Sequence, residues 1–177
     1  MRKLTQKTSD VYSVEENIFS IGAAEIDFLK SKLSNSSKGR VRINLHPKNS
    51  DLLHEMIIIL SPDSYIRPHK HPKKSEAFHL IYGAVDVVLF DSVGNISKVI
   101  PLAANDHSKP FYYRMSEPTL HTLIVRSDLL VVHEITNGPF IEGATIYAEF
   151  APLDTEVEEV RKWMNNLHLK LLESKKS

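Results

Sequence analysis

The sequence predicts an all-β barrel of the jelly-roll type, with a short helix before it and a longer helix after it. Segments rich in Val, Ile, Tyr and Phe recur at roughly ten-residue spacing between positions 40 and 150, and Gly, Pro, Asn, Asp and Ser clusters separate them. Helical periodicity is confined to the two ends of the chain. Many short, evenly spaced strands are typical of β-sandwiches and barrels.

The chain is expected to divide into three parts. Residues 1–39 form an N-terminal extension that contains a helix at Ala23–Leu33, residues 40–153 form the barrel, and residues 154–177 form a C-terminal helix and tail. The barrel strands are predicted at Val41–Leu45, His54–Leu60, Ser64–His69, Ala77–Tyr82, Val85–Phe90, Ile96–Leu102, Phe111–Met115, His121–Val125, Leu129–Ile135 and Thr145–Phe150.

The C-terminal segment has the pattern of an amphipathic helix. Thr155 and Glu158 fit a capping box. Apolar residues then follow at steps of three and four: Val157, Val160, Met164, Leu167 and Leu171. We expect this stripe to lie on the outside of the protein's own sheet, and a surface for a second copy is the alternative. The basic residues Lys175 and Lys176 are read as a solvated tail.

The composition excludes several classes of protein. There are 22 Lys and Arg against 22 Asp and Glu, so the protein lacks the basic excess of most nucleic-acid-binding proteins. The absence of Cys excludes disulfides and thiolate metal sites. The longest apolar run, Met56–Leu60, is far shorter than a membrane span. We expect a cytoplasmic protein that binds a small molecule, forms a homodimer, and binds neither nucleic acid nor membranes.

One cluster of residues predicts a metal site. His69 and His71 alternate on a strand and therefore project to the same side, about 7 Å apart. Pro72 begins a turn, and Glu76 opens the next strand, where hairpin pairing would return its carboxylate to the two imidazoles. His121 opens a strand about forty residues later and is the expected fourth ligand. This set suits one divalent transition metal such as Fe, Mn, Zn or Ni, with positions left open for water or substrate.

Other polar residues are candidates because of their parity. Tyr65 and Arg67 fall on the same side of the strand as the histidines, so we expect them to point into the barrel as catalytic residues. An inward Arg67 requires an anionic partner, either a structural carboxylate or a substrate group. The substrate-binding candidates are Arg42, Asn44 and His46 on the first barrel strand, together with Lys74, which lies in the turn between His71 and Glu76. The three residues from 42 to 46 share one face of the first barrel strand, and this face lines the cavity or, if the strand lies at an edge, meets water.

Three further histidines are excluded from the ligand set. His79 has the opposite parity from Glu76 and should point away from the metal. His54 and His133 lie in hydrophobic strands, where we expect them to be core residues or to support the site indirectly.

These motifs resemble a known family. The pattern His69-x-His71-x4-Glu76-x6-Gly83 resembles the first cupin motif, and His121 occupies the place of the histidine in the second. More narrowly, the sequence between Arg40 and Pro152 is similar to the WbuC family of cupin-fold metalloproteins, which are associated with bacterial O-antigen and surface-polysaccharide gene clusters. The shared residues include Arg42-x-Asn44-x-His46, the run from Ser64 to Pro72, and His133-Glu134-x3-Gly138-Pro139-Phe140.

The resemblance implies an RmlC-like double-stranded β-helix with the metal inside the mouth of its barrel, and it implies no single reaction. We therefore expect a metal-binding cupin that acts on a small anionic or sugar-like molecule, in O-antigen or surface-polysaccharide biosynthesis. If it is an enzyme, it is a metal-dependent sugar isomerase or epimerase, or an Fe(II)-dependent dioxygenase. The alternative is a non-catalytic sugar-binding or regulatory module.

Overall fold

The structure, a computed structural model, describes residues 4–173, which form twelve strands and two helices. The helices are α1 (Ala23–Leu33) and α2 (Val157–Glu173). The strands are β1 (Thr5–Gln6), β2 (Val11–Ser13), β3 (Arg40–Asn44), β4 (Leu53–Leu60), β5 (His69–Lys70), β6 (Glu76–Tyr82), β7 (Ala84–Phe90), β8 (Ile96–Ala103), β9 (Tyr112–Met115), β10 (Leu120–Val125), β11 (Leu130–Asn137) and β12 (Ile146–Tyr147).

The strands form two facing sheets. One has seven strands in the order β1-β2-β3-β4-β11-β6-β9, and the other has five in the order β12-β5-β10-β7-β8. All strand pairs are antiparallel except β2 with β3, which is parallel. The predicted all-β fold class is confirmed. Neither helix is long and apolar enough to cross a membrane.

The main core lies between the sheets, and β4 shows how the sequence builds it. Met56 and Ile58 face the other sheet, whereas Ile57 and Ile59 face outward and are covered by α1, whose Leu29 is fully buried. Alternation along a strand sends successive side chains to opposite faces. The unbroken apolar run at Met56–Leu60 therefore marks a strand that is covered on both sides.

Helix α2 covers the outer face of the five-stranded sheet, as the sequence analysis expected. Its Leu167 and Leu171 pack against Val88 and Ile124. Val157, the first residue of the predicted stripe, is 70% exposed and does not take part in this packing. The molecule is thus layered as helix, sheet, sheet, helix.

The predicted helix at Ala23–Leu33 is confirmed, but the predicted start of α2 is wrong. The helix begins at Val157, and the capping box of Thr155 with Glu158 does not form. The carboxylate of Glu156 accepts instead from the Leu153 N–H at 2.7 Å. Glu158 pairs with Arg161, because the two face each other one turn apart on the helix surface.

Two predicted strands are much shorter than expected, and two others were missed. The segment predicted at Ser64–His69 is a strand only at His69–Lys70, since prolines before and after it remove backbone donors. The segment predicted at Thr145–Phe150 is reduced to Ile146–Tyr147. Strands β1 and β2 are too short to show a period of two. The three-part division of the chain stays a prediction, and Lys175 and Lys176 lie outside the described residues.

Candidate metal centre

The four predicted metal ligands meet at one end of the barrel. His121 on β10 lies directly opposite His69 on β5, in the five-stranded sheet. His71 follows two residues later, just beyond β5, and Glu76 begins β6 in the seven-stranded sheet. The cluster therefore joins the two sheets.

The donor atoms of this cluster converge. One ligand atom each from His69, Glu76 and His121 lie within 4.8 Å of one another. The Nε2 atom of His121 is 3.2 Å from Oε1 of Glu76, and Nε2 of His71 is 3.6 Å from Oε2 of the same carboxylate. The structure thus brings together all four residues, with His71 slightly farther out than the other three.

Backbone carbonyls fix the orientation of two imidazoles. Nδ1 of His69 lies 2.8 Å from the Arg67 carbonyl oxygen, and Nδ1 of His121 lies 2.9 Å from the Thr119 carbonyl oxygen. A carbonyl oxygen can only accept, so each Nδ1 carries the hydrogen, and Nε2 is the ring atom available to a metal. When His121 is protonated, its Nε2–H donates to Oε1 of Glu76. Metal-bound histidines are commonly held this way. The donor set and its orientation therefore fit a divalent transition metal.

Burial and neighbouring charges set the protonation of the cluster. Burial lowers the pKa of His69 to about 4 and also lowers the pKa of His71, so both are neutral near pH 7. Burial is the largest single influence on the pKa of Glu76 and raises it, but the hydrogen bond with His121 and the charges of the three histidines together hold the pKa below its usual value. Burial opposes protonation of His121, whereas the Glu76 carboxylate raises its pKa overall. Glu76 is therefore the anionic centre of the site.

Tyr113 supports Glu76 from β9. Its hydroxyl donates to Oε1 of Glu76 at 3.1 Å, and its ring stacks on Phe78. Burial raises the pKa of Tyr113, so the phenol remains a donor. The sequence analysis missed this residue, because its partner lies 37 positions away and only the register of β6 with β9 brings the two together.

A cavity of about 500 Å³ opens next to the cluster, a size that suits a small-molecule ligand. All four substrate-binding candidates line it, namely Arg42, Asn44, His46 and Lys74. The alternative in which the residues from 42 to 46 meet bulk water therefore does not hold. β3 is an interior strand, with β2 on one side and β4 on the other.

Of the two predicted catalytic residues, only Arg67 lines the cavity. Its Nη2 donates to the Ala148 carbonyl at 2.9 Å, and its guanidinium lies over the ring of Tyr147 at 5.3 Å. Tyr65 takes a different direction from the one expected: its hydroxyl donates to the Pro152 carbonyl at 2.9 Å, and its ring contacts Trp163. Parity fails for Tyr65 because the chain before His69 is not a strand.

Glu134 and His54 line the cavity although the sequence analysis did not place them among the site residues. Glu134 on β11 lines the cavity, and its side chain forms no hydrogen bond or ion pair with any residue in the described part of the chain. Burial, reinforced by the charge of Glu76, raises the pKa of Glu134 to about 8. The sequence signal for Glu134 was its position in the alternating pattern of Leu130 and Val132, whose side chains point inward. His54, expected in the core, stacks on His46 in the cavity wall at 3.9 Å between ring centroids.

His79 lies away from the cluster, as its parity predicted, and His133, expected in the core or in support of the site, also lies away from it. The ring of His79 contacts Phe111 on the outer side of the sheet. Nε2 of His133 lies 3.2 Å from the Glu55 carboxylate, and neither residue lines the cavity.

Comparisons with known proteins give a family match for part of the chain and a likeness in fold. Residues 21–102 match a family described as a domain of unknown function, DUF6016, a segment that contains three of the four clustered ligands. No curated protein matches the sequence.

Three solved structures illustrate the likeness in fold. An uncharacterised conserved protein with a double-stranded β-helix domain from Klebsiella pneumoniae is 15% identical, with a TM-score of 0.52 over 76% of this chain and 99% of that one. A protein from Shewanella oneidensis is 11% identical, with a TM-score of 0.55 over 68% and 82%. A variant of oxalate decarboxylase from Bacillus subtilis is 20% identical, with a TM-score of 0.51 over 71% of this chain and 33% of its own length. The chain therefore has a double-stranded β-helix fold.

Proposed function

We propose that this protein is a metal-dependent cupin that binds a small anionic or sugar-like molecule at a single divalent transition metal. The metal is held by His69, His71, Glu76 and His121. One observation carries the proposal: oriented Nε2 atoms of two histidines from adjacent strands converge with a buried carboxylate from the opposite sheet. Buried ionisable groups with perturbed pKa values at a cavity are typical of functional sites.

The bound ion would supply Lewis-acid polarisation of a substrate carbonyl or hydroxyl oxygen. Arg67, which faces the cavity, holds an anionic group of the substrate close to the ion. Glu134 holds a proton near neutral pH and is the group that transfers it, in place of the predicted catalytic residue Tyr65, which does not line the cavity. Lys74 adds positive charge to the cavity wall.

The proposal extends to a WbuC-like role in bacterial surface-polysaccharide biosynthesis. Its support is the pattern of residues quoted above, from Arg42-x-Asn44-x-His46 to Gly138-Pro139-Phe140. The proposal also includes a cytoplasmic homodimer, whose mass in solution can be measured by light scattering.

The first test is elemental analysis of protein purified without a His-tag or chelator. We expect about one equivalent of Fe, Mn, Zn or Ni in the wild type, loss of the metal in Glu76→Gln, and retention in His79→Ala as the matched histidine control. Wild-type protein that is metal-free and takes up none of these ions would contradict the proposal. A turnover screen on nucleotide sugars then separates an enzyme from a binding module, because a binding module gives affinity without product.

A further inference from the structure

Unsatisfied polar atoms are concentrated in the cavity. Among the described residues, seven buried side-chain N and O atoms have no hydrogen-bond partner, and four of them belong to cavity-lining residues. These are Nε of Arg42, Oδ1 of Asn44, Nε2 of His54 and Nε of Arg67. Most buried polar groups in proteins are paired, so a cluster of unpaired ones indicates a place for a ligand or ordered water.

Two of these atoms lie on a rigid wall far from the metal ligands. Arg42 and Asn44 alternate on β3 with Val41 and Ile43, which are buried on the α1 side of the sheet. β3 is hydrogen-bonded on both edges, to β2 and to β4. Both polar side chains are therefore directed into the cavity by a fixed backbone, which is the kind of support that a precise binding site requires.

The guanidinium of Arg42 lacks a counter-ion. It forms no ion pair with any carboxylate within the described ranges, and Glu134, whose charge acts on it, is not within ion-pair distance. Burial lowers the pKa of Arg42, but an arginine stays charged in a protein. A partly buried, unpaired guanidinium is costly, and it is suited to bidentate binding of a carboxylate or phosphate.

The registers of the strands place this wall at a distance from the metal ligands. Asn44 pairs with Met56, Met56 pairs with Glu134, and Glu134 pairs with Phe78, which lies two residues from Glu76. β3 and β6 are thus three strand spacings apart, about 14 Å along the sheet. The floor between them is apolar apart from His54, Glu134 and Thr136.

We propose that Arg42, with Asn44 beside it on the same face of β3, forms a second subsite that binds an oxyanion, carboxylate or phosphate, at the far end of an elongated ligand whose other end reaches the metal. The guanidinium of Arg42 binds the oxyanion, and Oδ1 of Asn44, which can only accept, binds a neighbouring hydroxyl of the ligand. The metal end of this ligand rests on the proposed function. The oxyanion subsite is formed by protein side chains only, so anion binding there requires no metal.

The test uses chelator-treated full-length protein and isothermal titration calorimetry with inorganic phosphate, acetate and neutral glucose. We expect phosphate or acetate to bind and glucose not to bind. The anion that binds with the higher affinity shows whether the subsite takes a phosphate or a carboxylate group of the ligand. Affinity for that anion should fall at least tenfold in Arg42→Met and in the isosteric Asn44→Asp, which places a negative charge in the subsite. It should be unchanged in Lys98→Met, which removes a positive charge from the exposed face of β8.

Far-UV circular dichroism and urea unfolding show whether the variants fold. Arg42→Lys keeps the charge in case Arg42→Met does not fold, and it should give a smaller loss of affinity because the bidentate geometry is gone. In metal-loaded protein, phosphogluconate should bind more tightly than gluconate, and Arg42→Met should abolish the difference.

The proposal is overturned if the wild type binds neither anion, or if both Arg42→Met and Asn44→Asp bind it as the wild type does. It stands if the metal-free protein binds the anion even though the elemental analysis finds no metal. The two proposals therefore fail separately.

Discussion

His121 lies directly opposite His69 on antiparallel strands, and the centroids of the two imidazole rings are 4.7 Å apart. The β5–β10 pairing therefore sets the distance between two candidate ligands before any ion binds. Glu76 completes the group from the other sheet, and Tyr113 holds one of its oxygens. The Tyr113 hydroxyl therefore helps to fix the position of the Glu76 carboxylate relative to the two imidazoles.

Tyr113→Phe should weaken metal binding about 10–100-fold, because it removes the hydrogen bond that orients Glu76 while it preserves the ring. Competition with a chelator of known affinity measures the effect. Tyr112→Phe is the matched control, since Tyr112 is 44% exposed and does not contact Glu76. Equal affinities for the two variants would show that the Tyr113 hydroxyl does not tune the site.

Glu134→Gln should change how stability depends on pH. The carboxyl titrates near 4.5 in the unfolded chain and at a pKa of about 8 in the fold, so the folded protein binds the extra proton between these values. The contribution of Glu134 to stability is therefore complete below about pH 4.5 and is lost as the pH rises through about 8.

Urea unfolding of metal-free protein from about pH 5 to about pH 9 checks this expectation. The decline of stability with rising pH should be shallower in Glu134→Gln than in the wild type. Glu142→Gln, at an exposed position, should follow the wild type. Parallel curves for Glu134→Gln and the wild type would mean that this carboxyl titrates alike in both states.

Leu171→Ala should lower the free energy of unfolding by about 2–5 kcal/mol, because Leu171 is 1% exposed where α2 meets the five-stranded sheet. Leu172→Ala, one residue later and 57% exposed, should change it by less than about 0.5 kcal/mol. Urea titrations of both variants give the comparison. Similar small effects would indicate that α2 does not dock on the sheet in solution.

Gly83→Ala should destabilise the barrel by about 1–3 kcal/mol, because Gly83 has a φ of 89° and an added Cβ would overlap the Leu129 carbonyl oxygen. Gly143→Ala is the control: φ is 75° there as well, but a Cβ would meet no atom within 4 Å. Thermal unfolding should show a larger loss for Gly83→Ala. Equal losses would assign the effect to the backbone angle alone.

Periodicity predicted the elements that repeat regularly. The apolar spacing of Ile26, Leu29 and Leu33 located α1, and the alternation around His69 and His71 indicated a shared metal site. The same alternation misplaced Tyr65, because a period of two applies only where the chain is a strand. Tyr113 and Arg42 show the other limit: what they face depends on which strands are neighbours, and no local pattern in the sequence encodes that order.

The candidate ligands come from both sheets, with His69 and His121 in one and Glu76 in the other. An ion bound at this point would link the two sheets at the open end of the barrel. The free energy of ion binding would then stabilise the packing of the two sheets, because a ligand that binds only the folded state stabilises that state. The width of the entrance through which a substrate must pass would thus be tied to the presence of the ion.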